Sequence, residues 1–283
     1  MSLFSIAAMQ VGWSAGDNRE RLESETASVL TRFPWVQMVV FPELCSFGAG
    51  VKFAEPMPGP TEDRYRALAR KHNVWLIPGS MYERIAEDVF NTTSVINPAG
   101  EVVARYRKMY PFLPYEKGVK PGSDFVVFEI ASVGKFGVSI CYDQWFPETI
   151  RALAWLGAEV IIHPTMTNTI DRPQELIIAQ ANAIVNQCYY IDINAASQLG
   201  NGRSIVIGPD GDVIHLSGEG AEYIPFTVDF NRVRETRRSG IFRLGQVLKS
   251  FRDTPIKYPC YRGEFRKSVA MDTLGPLVMP GMD

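Results

Sequence analysis

Residues 135–164 read Lys135-Phe-Gly-Val-Ser-Ile-Cys141-Tyr-Asp-Gln-Trp-Phe-Pro147-Glu-Thr-Ile-Arg-Ala-Leu-Ala-Trp155-Leu-Gly-Ala-Glu-Val160-Ile-Ile-His-Pro164, and their order decides the fold class. An apolar run, Lys135 to Ile140, stops at a cysteine. Pro147 and Glu148 mark the first turn of a helix over Pro147 to Leu156, and a second apolar run follows at Val160 to His163. The alternation continues downstream with a helix from Pro173 to Cys188 and a strand from Tyr189 to Asn194. Upstream it reads as strand Leu3 to Met9, helix Asp17 to Arg32, strand Val36 to Phe41, helix Thr61 to His72 and strand Val74 to Pro78. Hairpins interrupt this order. Asn91 to Asn97 and Glu101 to Tyr106 flank the turn Pro98-Ala99-Gly100, Phe125 to Ile130 pairs with Lys135 to Ile140, and Pro209-Asp210-Gly211-Asp212 joins Ser204 to Ile207 with Val213 to Leu216. Strand-helix units mixed with hairpins imply an α/β fold whose sheets carry both pairing types.

Composition narrows the function. The 283 residues hold 29 Lys plus Arg against 31 Asp plus Glu, a net charge of −2, with no basic run. Neither nucleic acid nor an anionic membrane surface is an expected partner. A hydrophobic share of 46% suits a globular chain with a sizeable core. No stretch approaches the roughly 18 apolar residues of a membrane span. The first ten residues lack a basic n-region and read as a strand, so a cytoplasmic chain is expected. Cys45, Cys141, Cys188 and Cys260 stand singly, the pattern of free thiols and not of a disulfide framework or structural zinc site. From Arg252 the pattern dissolves, yet Val269, Leu274, Leu277, Val278 and Met279 keep it apolar. Residues 1–251 thus read as the main domain, and 252–283 as an arm packed on its own or a partner subunit.

Chemistry concentrates at strand ends. Cys141 lies between a strand and a helix start, where ligands gather in open α/β sheets and where backbone N–H groups are expected to lower a thiol's pKa. By position alone it is either a nucleophile or a small core hydrophobe. Glu43 likewise follows an apolar strand, Met38-Val-Val-Phe-Pro42, as a loop charge or as a base at the thiol's end of the sheet. Lys108 follows a strand in Arg105-Tyr-Arg-Lys108-Met-Tyr-Pro, and singly reads as a surface lysine. Of the three histidines, His163 ends the strand next to that of Cys141 and competes as a Cys–His dyad partner, whereas His72 and His215 do not. The histidines and cysteines show no metal-ligand spacing.

Taken together, Phe41-Pro-Glu43-Leu, Tyr106-Arg-Lys108-Met and Ser139-Ile-Cys141-Tyr-Asp143, in that order and separated by 65 and 33 residues, resemble the nitrilase superfamily of carbon–nitrogen hydrolases. The resemblance runs to about Arg238. It implies a four-layer α-β-β-α sandwich of two mixed sheets, extended across a homodimer or larger homo-oligomer. It places the superfamily's catalytic triad on Glu43, Lys108 and Cys141, and its frequent second glutamate on Glu116. Tyr142-Asp143 after the cysteine is similar to amidase and carbamoylase members, while Tyr110-Pro111 departs from the commonest lysine loop and leaves the substrate open.

The expected reaction is hydrolysis of a small amide through a thioester, releasing ammonia and a carboxylic acid without a cofactor. Glu43 serves as general base, and Lys108 with the Tyr142 backbone N–H holds the oxyanion. Glu116 either orients Lys108 or substrate, or is a solvated loop acid. Tyr115, Trp145, Phe146, Thr165 and Met166 are the expected pocket walls, with Asp171 and Arg172 as possible partners for a substrate's far end. Cys45, Cys188 and Cys260 are expected to pack. An N-carbamoyl amine amidohydrolase is the alternative enzyme, and a non-catalytic scaffold the alternative of another class.

Overall fold

In the computed structural model, which describes residues 3–113, 115–261, 268–275 and 277, period-two burial along the strands sorts the chain into layers. The elements are β1 (Leu3–Gln10), α1 (Arg19–Arg32), β2 (Met38–Val40), α2 (Pro60–His72), β3 (Trp75–Ile77), β4 (Ser80–Ile85), β5 (Asp88–Ile96), β6 (Val102–Arg107), β7 (Val126–Ile130), β8 (Gly134–Val138), α3 (Pro147–Trp155), β9 (Val160–Thr165), α4 (Arg172–Asn186), β10 (Tyr189–Asn194), β11 (Ile205–Ile207), β12 (Val213–Leu216), β13 (Glu222–Asp229), α5 (Phe230–Ser239) and α6 (Val247–Asp253). One sheet has the order β13-β1-β2-β3-β5-β4, with β6 also on β5; the other runs β12-β11-β10-β9-β8-β7. In each, three central strands are parallel, β1-β2-β3 and β8-β9-β10, and antiparallel strands extend both flanks.

Phe4, Ile6 and Ala8 of β1 point into the layer between the sheets, where Met38 and Val40 meet Val138, Val160, Ile162 and Ile191 from the other sheet. Ala7 and Met9 point the opposite way, into a second core with Leu22 and Val29 of α1 and Tyr65 and Leu68 of α2. On the far side, Ile161 and Tyr190 pack against Ile150 and Leu153 of α3 and Ala179 and Ala183 of α4. The result is an α-β-β-α sandwich with two mixed sheets, as expected. No helix among the described residues is long and apolar enough to cross a membrane.

Differences from the sequence reading concern distant partners. β13 pairs with β1 from Leu3↔Asp229 to Gln10↔Glu222, a register that no local pattern encodes. Likewise β4, whose Glu83 and Arg84 break its apolar character, forms a hairpin with β5. α6 runs through residue 252, so the arm read from sequence begins in its last turn. Phe251 sits edge-on to Trp155 and stacks on Tyr258, which meets Tyr261, so this part of the chain lies along α3 of its own fold. Leu274 and Leu277 are exposed. Val278, Met279 and the side chain of Val269 lie outside the described residues. Cys45 and Cys188 are buried, but Cys260, expected to pack, is exposed.

Candidate active site

Each sheet contributes at the carboxyl end of a strand. On β6 the alternation sends Arg105 and Arg107 outward, where they pair with Glu62 at 2.7 Å and Glu83 at 2.7 Å, and turns Tyr106 and Lys108 inward. That parity separates Lys108 from its basic neighbours. Lys108 is 1% exposed, and its Nζ donates to Glu43 Oε1 at 2.8 Å and to Glu116 Oε2 at 2.7 Å. Asn91 Nδ2 bridges the same carboxylates, 2.8 Å from Glu43 Oε1 and 2.7 Å from Glu116 Oε1. The Phe112 N–H also donates to Glu116, which is buried and not a solvated loop acid. Asn91 escaped the sequence reading because a lone strand asparagine has no local signature; only the β5–β6 register brings it to the cluster.

Glu43 leaves β2 through Pro42, and its backbone N–H donates to the Thr165 carbonyl at the end of β9, in the other sheet. Its position depends on Gly79, in the left-handed region at φ +72°, where a Cβ would come within 1.9 Å of the Pro42 carbonyl oxygen. We expect Gly79→Ala to destabilise the fold by about 2–4 kcal/mol in urea unfolding, from left-handed strain plus overpacking. It should also lower the activity of the remaining folded protein, because Pro42 must move.

Cys141 follows Ile140 at φ +49°, a left-handed conformation for a non-glycine residue, and opens a 3₁₀ turn to Trp145 before α3 begins. Strain of this kind, on the order of 1–3 kcal/mol, needs surrounding structure to hold it. Asp143 supplies it: one carboxylate oxygen accepts from Ile140 N–H and Tyr106 OH at 2.9 and 2.6 Å, the other from Met109 and Tyr110 N–H at 3.1 and 2.9 Å. The cysteine turn and the lysine loop are thus tied to one buried group. Asp143 was visible in the sequence only as a motif letter. Burial pushes its carboxyl up to about 6 against the opposing pull of the Tyr106 hydroxyl, the Lys108 charge and the Ile140 and Tyr110 N–H groups.

The Cys141 thiol and the Glu43 carboxylate lie close enough to perturb one another's ionisation. Burial, followed by that carboxylate, raises the Cys141 pKa well above its ordinary value, while Lys108 and the Met166 backbone N–H oppose the rise. This corrects the expectation of a lowered thiol pKa. That expectation weighed the strand-end backbone and left out burial and the adjacent acid. Burial raises Glu43 as well, with Lys108 opposing and Glu116 adding to it. A protonated thiol beside a partly protonatable carboxylate suits proton transfer during attack, with Lys108 ready to balance the charge.

The sequence profile described as carbon-nitrogen hydrolase matches residues 5–238. The chain belongs to the carbon-nitrogen hydrolase family. It is 34% identical over 202 residues to the deaminated glutathione amidase of Dictyostelium discoideum, covering 62% of this chain and 68% of that one. It is 27% identical over 259 residues to the omega-amidase NIT2 of Homo sapiens, covering 84% and 93%. Against the deaminated glutathione amidase of Homo sapiens, 31% identical, the match spans 65% of this chain and 63% of the relative's length. Among solved structures, Nit3 of Saccharomyces cerevisiae, a member of the nitrilase superfamily, is 26% identical with a TM-score of 0.77, over 84% of this chain and 94% of that one.

In this hydrolase a small cavity, of about 20 Å³, opens onto Cys141. Tyr115 and Met166 line it together with Phe112, Tyr142, Thr167, Asn168, Thr169, Asp171 and Glu175. The other expected walls stand elsewhere. Thr165 is fully buried with its carbonyl taken by Glu43, and Trp145 tilts against Tyr142. Phe146 stacks on Tyr110 at 3.4 Å and faces a separate, apolar cavity. Arg172 is not free for a substrate either: it is fully buried, two-pronged on Asp192 at 2.9 and 3.2 Å and 3.0 Å from Glu175.

His163 Nδ1 is engaged by Ser139 Oγ at 2.7 Å. Burial, then Arg172 and Lys108, depresses its pKa to about 3, so the imidazole is neutral and a poor proton acceptor. His163→Ala in this hydrolase is expected to keep kcat within about tenfold, or 1.4 kcal/mol, while lowering stability. A loss as large as that of Glu43→Gln would restore the Cys–His dyad.

Proposed function

We propose that this carbon–nitrogen hydrolase cleaves a small linear amide through a Cys141 thioester and releases ammonia and a carboxylic acid. The observation that carries the reading is the Lys108 ammonium, 2.8 Å from Glu43 and 2.7 Å from Glu116, in a buried cluster that reaches the Cys141 thiol at the head of a cavity. Cys141 Sγ attacks the carbonyl carbon as Glu43 takes its proton. Lys108 and the Tyr142 backbone N–H hold the oxyanion, and Glu43 returns the proton to the departing ammonia. Glu43 then deprotonates water for attack on the thioester, and the acid leaves. Glu116 and Asn91 fix Lys108 and Glu43 and need not touch substrate. The amidase names of the relatives support the reaction class, and three buried charges, costly to a fold, argue against a scaffold with no chemistry.

The test is an ammonia-release panel of short aliphatic amides, ureido compounds and nitriles, with intact-protein mass spectrometry of trapped Cys141. Amide turnover with an acyl adduct on Cys141 is expected. Turnover confined to ureido compounds would establish the N-carbamoyl amine reaction instead, and nitrile-only turnover would overturn both. Neither turnover nor adduct would return the scaffold reading.

Residues 1–251 form the hydrolase domain in this reading and 252–283 an arm on its own or a partner subunit. The exposed Trp155 and Leu156, beside an apolar groove along α3, support a homo-oligomer, which light scattering would detect. Four free cysteines suit the reducing cytoplasm.

A further inference from the structure

The cavity at Cys141 has an unbalanced charge. Its charged lining side chains are Asp171 and Glu175; among the described lining residues there is no arginine, lysine or histidine. The nearest cation on this wall, Arg172, is consumed beneath the surface. Its guanidinium holds Asp192 with two hydrogen bonds and gives a third to the Arg203 carbonyl at 2.8 Å, leaving a single 3.0 Å contact to Glu175. One positive charge therefore serves two buried carboxylates, and Asp171 adds a third acid at the rim, where it accepts from Thr169 Oγ1. Glu175 is 3% exposed, in the first turn of α4, and its charge is felt at the Cys141 sulfur. The rest of the wall is uncharged: Thr167, Asn168, Thr169 and the aromatic rings of Phe112, Tyr115 and Tyr142.

We infer that this pocket selects amides whose end distal to the scissile bond is a cation or hydrogen-bond donor, such as an ammonium or guanidinium, and turns away those ending in a carboxylate, with Glu175 as the deciding side chain. An anionic end would meet two acids in a small space with no cation among its described lining residues, and such like-charge juxtaposition is strongly disfavoured. A cationic end would neutralise the excess and stack on the aromatic walls. Burial raises the Glu175 carboxyl to about 7 against the pull of Arg172, so an arriving cation also holds it ionised. This inference rests on the proposed amide hydrolysis for its reaction but not for its binding order.

Three isosteric straight-chain primary amides, ending in ammonium, methyl and carboxylate, provide the test near pH 8. In the wild-type enzyme kcat/KM should favour the ammonium-ended amide over the carboxylate-ended one by about 100-fold or more. Glu175→Gln should shrink that ratio by about tenfold, whereas Glu175→Asp, which keeps the charge, should retain the preference. Equal or better turnover of the carboxylate-ended amide, or an unchanged ratio in Glu175→Gln, overturns the inference. Calorimetric binding of the same amides to Cys141→Ala separates the two readings and does not need the glutamate variants to fold. If nothing turns over yet the ammonium-ended amide binds tightest, amide hydrolysis fails and the selectivity stands. A reversed order, or no binding by any of the three, overturns the selectivity itself.

Discussion

Cys141→Ala is expected to lose amide turnover by on the order of 10⁶-fold, the loss found where a nucleophile and its base act as one unit. The buried thiol sits beside Glu43, which is paired with Lys108, whereas the hydroxyl of Thr169 at the same cavity donates to Asp171, a carboxylate with no lysine beside it among the described cavity-lining residues. Alanine keeps a Cβ at φ +49°, so the local strain is the same and the fold should persist. Circular dichroism would check this, and intact mass would show no acyl adduct after incubation with substrate. Residual turnover above about a hundredth of wild type would locate the nucleophile elsewhere. Glu43→Gln makes the informative contrast: it should lose turnover while its thiol still accepts an alkylating reagent.

Lys108→Met is expected to produce the largest combined effect. Removing the ammonium leaves Glu43 and Glu116 buried without their shared cation, a loss of about 3–5 kcal/mol of stability, and removes the proposed oxyanion donor, worth about 2.7–4 kcal/mol of barrier. The stability loss carries a pH signature. Burial and the Glu116 charge already push Glu43 up, and without Lys108 nothing comparable opposes them. A carboxyl whose folded pKa lies above its unfolded value of about 4.3 binds more protons in the folded state, so stability falls as pH rises above that value. The variant should therefore recover part of its deficit near pH 5 relative to pH 8, read as the difference in urea midpoints from wild type. In the wild-type protein the raised Lys108 pKa acts with the same sign but in a much higher pH window. Its stabilisation is complete below about 10.4, the unfolded value, and is lost only as pH climbs through the folded one. An equal deficit at both pH values would mean that the glutamates do not depend on the lysine.

Much of this was legible in the chain because short-range signals set it. The strand Tyr189–Asn194 and the hairpins around Pro98 and Gly211 declare themselves through apolar runs and turn residues. Glu43, Lys108 and Cys141 were visible as polar residues placed just past apolar strands, and their shared resemblance joined them. What the chain hid depends on partners far away in sequence. Asn91 meets both glutamates only through sheet register, and Glu175 reaches the cavity only because α4 returns its first turn to Cys141. Arg172 looked available beside Pro173 at a helix start, since nothing local signals that Asp192, on the next strand, will claim it. The direction of the thiol's pKa was misjudged for the same reason, because burial is a property of the packed sandwich.

The Asp143 carboxylate, with its four donors, joins a turn from one sheet to a loop from the other. Glu43 and Lys108 arrive on the first sheet and Cys141 on the second, so alignment across the sandwich is itself a setting of the reaction. Under the proposed mechanism, packing residues between the layers, Val138 and Ile162 among them, become tuning elements for catalysis although they touch no substrate. A hydrolase built this way can change its rate through its core without altering a single reactive group.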